Sequence, residues 1–276
     1  MKKEYTYPTK TVYYKSELDD FSTPNIKTRR IDENYKYRRN PFFFSLARFF
    51  LYRIIAAPLA SFFCKIKLGL KIKNRDKRYE TEGEGCFIYA NHTQQTADAF
   101  IPTLAFFPKS VYTVVHPDNV SLPVLGKITP YLGAIPIPST HRVMREFTNT
   151  VEAKLLSGSA VAIYPEAHIW PYYTKIRNFP DTSFTYPVRF NSPSYALTTT
   201  YKKSRFRKAP VAVTYIDGPF YPNMSLPARE RAGELRNRIF DAMNKRAALS
   251  DCEYIRYEKR EEQTEPVCAS NGKETL

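Results

Sequence analysis

The chain has 276 residues, with 42 Lys or Arg against 27 Asp or Glu and a formal charge of +15. Apolar residues make up 43% and charged residues 25%, which excludes a disordered chain, a collagen and a polytopic membrane protein. Tyr and Phe number 21 and 19 against 9 Gly and 1 Trp, and a basic, aromatic-rich chain needs an anionic partner: nucleic acid, a membrane surface or a phosphorylated substrate.

Residues 1–40 begin MKKEYTYPTK with no apolar run behind the charges. No signal peptide is read, and a polar N-terminal extension in a protein inside the cell is expected. Cys64, Cys86, Cys252 and Cys268 form no Cys-x-x-Cys pair. Reduced thiols in a cytosolic compartment are therefore expected rather than a disulfide scaffold.

Residues 41–78 hold +8 of the +15 charge. Residues 42–64 are almost wholly apolar, but Arg48, Arg53 and Pro58 interrupt them. The stretch before Pro58 reaches only about 24 Å, short of a roughly 30 Å hydrocarbon core. The pattern predicts two helices lying in a membrane interface, with the arginines and KIKLGLKIKNRDKR at lipid headgroups. A helical hairpin buried on the protein's own core is the other reading.

An α/β rhythm follows. Strands are predicted at 85–90, 110–115, 160–164, 194–201 and 209–216, and helices at 97–107, 122–132, 141–157 and 226–249. This alternation predicts an α/β fold, a mostly parallel or mixed sheet flanked by helices and preceded by the apolar helical pair. The predicted organisation is an extension at 1–40, docking helices and basic tract at 41–78, a catalytic domain at 79–250 and an acidic mobile tail at 251–276.

Four histidines are present. His92 follows the first strand of this region, at the carboxyl end where open α/β sheets place ligands. Asp98, six residues on, can reach back to fix its tautomer. Pro165-Glu166 follows another buried strand, with His168 beside it, and the two strand ends converge if the strands are close in the sheet. His116 reads as a turn residue. His141 reads as the start of a helix capped by Ser139 or Thr140. The basic run KKSRFRK at 202–208 reads as a solvated hairpin loop or as a contact for the phosphates of lipid headgroups or of a bound substrate.

Asn91-His92 with a nearby Asp98, then Gly133-x-Ile135-Pro136-Ile137, then Tyr164-Pro165-Glu166, then a Pro-initiated strand in SPSYALTTTY, resemble in order and spacing the glycerolipid acyltransferase superfamily. More specifically, they are similar to its bacterial, membrane-associated enzymes that acylate lysophosphatidic acid (1-acyl-sn-glycerol-3-phosphate). The resemblance covers residues 80–216. It implies an O-acyltransferase that moves a fatty acyl group from acyl-CoA or acyl carrier protein to a lysophospholipid hydroxyl, without a cofactor or metal. His92 would be the general base and Asp98 its orienting partner, with Asn91, Glu166 and His168 at the substrate. The implied partners are an anionic phospholipid surface, the lysophospholipid acceptor and the thioester donor, at the cytoplasmic side of the membrane.

Two departures stand out. The family's first motif is Asn-His-x4-Asp, and this chain is one residue longer, which leaves open whether Asp98 keeps its contact. The family's Phe-Pro-Glu-Gly-Thr-Arg reads Tyr164-Pro165-Glu166-Ala167-His168-Ile169. With the Arg gone, Arg142, Lys175 and Arg177 are the candidates for phosphate binding. The competing readings are a basic nucleic-acid-binding protein and a metal-dependent hydrolase using His92, Asp98, Glu166 and His168.

Overall fold

The structure is a computed structural model that describes residues 6–21, 28–37 and 41–260. Its centre is a seven-stranded sheet: β2 (Lys71–Lys73), β3 (Cys86–Ala90), β4 (Val111–Val115), β5 (Ala134–Pro136), β6 (Ala160–Ile163), β7 (Ser194–Lys202) and β8 (Val211–Phe220). The strand order is β2-β8-β7-β3-β6-β4-β5. Every neighbouring pair is parallel except β7 and β8, which form an antiparallel hairpin. The mixed α/β sheet expected from the strand–helix alternation is present, and 202–208 is indeed a hairpin connection.

The central strand, β3, is buried at all five residues. Successive side chains leave a strand on opposite faces. Cys86, Ile88 and Ala90 therefore join one core with Ile101, Phe106 and Tyr195. Phe87 and Tyr89 enter a second core with Phe147, Val151, Leu235 and Ile239. The first core is covered by α2 (Ala57–Leu68) and α3 (Ile101–Phe106), the second by α5 (Met144–Leu156) and α6 (Ala228–Ala247). A strand covered on both faces is apolar throughout, which is why CFIYA reads as a continuous run. Of the predicted helix over 122–132 only one turn forms, α4 (Leu125–Ile128), because Pro123 and Pro130 bracket it. Thr140 makes no capping hydrogen bond, and the Ser139 hydroxyl instead accepts from the Ile31 N–H.

The apolar segment differs from expectation in an instructive way. α1 (Pro41–Arg48) continues through a π-helical stretch at Phe49–Ala56 directly into α2. Right-handed helical angles run through Arg48, Ala56 and Ala57, so Pro58 does not split the segment. It sits in the first turn of α2, where the absent N–H costs least. The expected pair is thus one helical run, Phe42–Leu68, of 27 residues, within which an 18-residue window reaches a mean hydropathy of 1.6.

Arg48 does not reach solvent or headgroups as expected, whereas Arg53 stays partly exposed. Arg48 is buried between the rings of Tyr52 and Tyr112 and donates to the carbonyls of Tyr131 and Val111 at 3.1 and 3.0 Å. Gly133, at a φ of 103°, makes room for it, since a Cβ there would meet the Val111 oxygen at 2.7 Å and Arg48 Nη1 at 3.0 Å. Arg53 donates to the Pro108 carbonyl at 2.6 Å. The opposite face of the run carries exposed Phe42, Phe43, Phe50, Leu59, Phe62 and Ile66. One stripe is docked on the protein, and the other is apolar and open. A buried hairpin does not form.

Two further boundaries move. The stretch expected as a mobile tail contains β9 (Ile255–Lys259), which pairs in parallel with β1 (Lys10–Tyr14) from the expected polar extension. Residues 261–276, the remainder of that tail, lie outside the described residues, as does Cys268. Residues 28–37 also pack onto the fold: Ile31 is fully buried and Tyr37 donates to the Pro136 carbonyl at 2.7 Å. Cys64, Cys86 and Cys252 are free and buried.

Candidate active site

β3 and β6 are adjacent and parallel, so the two strand ends singled out in the sequence lie side by side. Beyond β3, the Asn91 side chain takes the place of a further ladder residue. Its Nδ2 donates to the Thr199 carbonyl at 3.0 Å, and its Oδ1 accepts the Thr199 N–H at 2.8 Å. Both ends of that amide are engaged and the residue is buried. Asn91 is therefore a brace between β3 and β7, not the substrate contact expected.

His92 follows. Its Nδ1 lies 2.8 Å from Asp98 Oδ2, so the loop with five intervening residues closes the contact. The same carboxylate oxygen accepts the N–H groups of Thr93 at 2.9 Å and Gln94 at 2.8 Å. An oxygen that receives two backbone donors is an acceptor, which assigns the proton to His92 Nδ1 and leaves Nε2 with a free lone pair. The imidazole side chain is 17% exposed and that of Asp98 only 4%. The imidazole stacks on Tyr164 at 4.3 Å between ring centroids, and the Tyr164 hydroxyl donates to the Asp98 carbonyl at 2.5 Å. Burial, reinforced by the Asp98 charge, pushes the Tyr164 phenol well above its ordinary range, so it acts here as a neutral donor.

Glu166 supports the same turn from below. Its Oε2 accepts the backbone N–H of His92 at 3.1 Å, and its Oε1 accepts that of Arg177 at 3.0 Å. Arg177 Nη2 adds an ion pair at 3.2 Å. Burial pushes the Glu166 carboxyl up, while the Arg177 guanidinium and the two N–H donors pull it down. All its partners are donors, which an ionised carboxylate satisfies.

Arg177 itself is buried. It donates to the carbonyls of Glu17 and His168 and lies over the Trp170 ring at 4.9 Å. Neither member of this pair is open to a ligand, so the expected substrate contacts at Glu166 and Arg177 are corrected to an internal brace. Of the other candidates, His168 faces Asp20 at 3.4 Å, Arg142 is 88% exposed and 4.0 Å from Glu33, and Lys175 is exposed. None of them joins His92 and Asp98. His116 pairs with Asp118 at 3.0 Å in a turn, as expected. Among the described residues no cluster of three or more His, Cys, Asp or Glu side chains is placed to hold a metal ion. In particular, the Glu166 carboxylate meets the backbone N–H of His92 and not its imidazole, and His168 faces Asp20.

Several contributors carry no signal in the sequence. The loop after β6 lies along the turn after β3, with the N–H groups of Trp170 and Tyr172 donating to the carbonyls of His92 and Thr93 at 3.1 and 2.9 Å. Trp170 in turn donates from Nε1 to the Asp19 carbonyl at 2.7 Å and packs against Tyr14, Phe21, Tyr173 and Tyr257. The N-terminal segment thus clamps the loop that clamps His92. Ala167, where the resemblance expects Gly, has a φ of 64°. The left-handed turn is kept even though the glycine is not.

No protein-family model matches the chain, and no curated protein matches it in sequence. Five solved chains match it in fold. One is the 1-acyl-sn-glycerophosphate acyltransferase PlsC from Thermotoga maritima, at a TM-score of 0.51 and 14% identity over 75% of this chain and 88% of that one. At that identity the likeness is one of fold.

Proposed function

We propose that this protein is an acyltransferase working at a membrane surface, which moves a fatty acyl group from a thioester to the hydroxyl of a lysophospholipid such as lysophosphatidic acid. The observation that carries the proposal is the 2.8 Å contact between His92 Nδ1 and Asp98 Oδ2, at the carboxyl end of the central strand of a sheet shared with a known acyltransferase. His92 Nε2 takes the acceptor hydroxyl's proton as the oxygen adds to the thioester carbonyl. The tetrahedral adduct then expels the thiolate, which recovers that proton from the imidazolium. The thioester is already activated, so the step needs neither a metal nor a protein nucleophile, and the base contributes about 10²–10⁴-fold. Holding donor and acceptor together adds to this.

The surface supports a membrane setting. The outward stripe of α1–α2 is apolar, and near its far end the β7–β8 hairpin carries Phe206, 94% exposed, among five cations, with Arg207 donating to the Lys67 carbonyl. Such a combination of apolar face and flanking cations suits an anionic interface. The helical run is about 40 Å long, but its inner stripe is occupied by Arg48, Tyr52, Ala60 and Cys64 against the protein. It therefore lies on the bilayer rather than across it. The three free thiols among the described residues fit the cytoplasmic face.

The test is thiol release by the full chain with acyl-CoA or acyl carrier protein thioesters across a panel of lysophospholipids. Release should require an acceptor, and His92→Ala should lower it by about 10² or more with the melting temperature unchanged. Acceptor-independent release, or a His92→Ala variant as active as the parent, would overturn the reading.

A further inference from the structure

A second binding site lies away from His92. A cavity of about 330 Å³ opens between α2 and the sheet edge formed by β2. Its floor is apolar: Leu70 and Ile72 from the β2 segment, Leu104 and Phe107 from the end of α3. Three cations surround it, Arg53, Lys65 and Arg75, and no carboxylate lines it. None of the three has an ion-pair partner among the described residues.

The two arginines are already positioned. Arg53 donates to the Pro108 carbonyl at 2.6 Å and Arg75 to the Leu104 carbonyl at 3.1 Å. Each contact uses one N–H of a guanidinium fork that has five. Burial, together with the nearby Arg78 charge, lowers the Arg75 pKa. The helix wall of the cavity, through Pro58 and Ser61, alternates with exposed Leu59, Phe62 and Ile66, so the opening lies beside the face assigned to the bilayer.

We propose that this cavity seats an anionic membrane phospholipid, its phosphate on Arg53, Lys65 and Arg75 and the start of one acyl chain on Leu70, Ile72, Leu104 and Phe107. The inference rests on the membrane-surface reading. The bound lipid is not the reacting one, because no lining residue belongs to the His92–Asp98 pair or its braces. It ties α2 to α3, the helix that follows Asp98, and so stabilises the docked helix when the protein is on an anionic surface.

The experiment reads binding without turnover, on full-length His92→Ala protein in a neutral detergent, following the melting temperature. The probe is dihexanoylphosphatidylglycerol, with dihexanoylphosphatidylcholine and inorganic phosphate as parallel arms. The expected result is a saturable rise with the glycerol lipid alone. Lys65→Glu, at an exposed position, should weaken its apparent affinity more than tenfold, since it removes a cation worth of order 1 kcal/mol, about fivefold, at an anionic surface and sets a carboxylate in its place. Arg75→Gln should weaken it about fivefold by the same reasoning. Equal shifts with the choline lipid or with inorganic phosphate would overturn the proposal, as would a Lys65→Glu variant that binds like its parent. Loss of acyl transfer in separate assays would leave this result standing.

Discussion

The backbone N–H of His92 donates to Glu166 Oε2 at 3.1 Å across 74 residues of chain. Two short motifs, each unremarkable alone, become one unit through this bond. Glu166 holds the peptide that carries the imidazole, and Arg177 and Trp170 hold the loop that carries Glu166. The resemblance marks Glu166 as a substrate contact. Its burial makes it a positioning residue instead.

Asp98→Asn should lower acyl transfer by about 10²-fold or more while the fold survives. The amide oxygen, held in the place of Oδ2 by the N–H groups of Thr93 and Gln94, still accepts from His92 Nδ1. It no longer carries a negative charge, so the imidazolium formed when Nε2 takes the hydroxyl's proton loses its counterion and the base is weakened. Thiol release and the melting temperature, measured together, check this. Near-parental activity would mean that the charge behind the 2.8 Å contact does not support the base.

Ala167→Gly should stabilise the protein by about 1 kcal/mol, because a Cβ in the left-handed region costs that order of energy and Ala167 sits at a φ of 64°. The urea midpoint should rise. A fall would show that the Cβ contributes packing worth more than its backbone strain.

Deleting residues 1–21 removes the carbonyls of Asp19 and Glu17 that receive Trp170 Nε1 and Arg177 Nη1. Trp170 is the chain's 1 Trp and is 1% exposed, so its fluorescence reports the change directly. Emission should shift to the red, and kcat should fall more than KM changes. Unaltered emission would show that the terminal clasp does not support the loop.

Alkaline pH should destabilise the protein from about pH 9 upward. Burial pushes the thiols of Cys64 and Cys252 up from 9.0 to about 11 and that of Cys86 to about 12, with Asp98 adding to the rise at Cys64. Between those values the unfolded chain has released protons that the native chain retains. Stability is therefore full below pH 9 and declines as pH rises, by about 1.4 kcal/mol per thiol per pH unit. Urea midpoints at pH 8, 9 and 10 test the sign. A midpoint that rises or stays level would contradict it.

What the sequence alone determined is local. Apolar runs of five residues, period-two alternation and helical spacing place β3, β4, β6, β7 and β8 within a residue or two at most ends. They also put His92 at a strand end with Asp98 in reach. These signals survive because neighbours in the chain share one element, and that element's geometry repeats every two or 3.6 residues.

Only the tertiary structure decided the rest. Arg48 reads as a charge that must reach water or a headgroup, yet the carbonyls of Val111 and Tyr131 and the rings of Tyr52 and Tyr112 receive it inside. Pro58 reads as a break, yet the helix runs through it. Lys10–Tyr14 reads as a polar extension, yet Ile255–Lys259 pairs with it from the other end of the chain. Arg177 reads as a phosphate ligand, yet Glu166 and Trp170 enclose it. For Arg48 the deciding carbonyls lie 63 and 83 residues away, and for Lys10–Tyr14 the partner strand comes from beyond the whole sheet. A buried charge or an edge strand is stable only when that partner is in place, which no local pattern reveals.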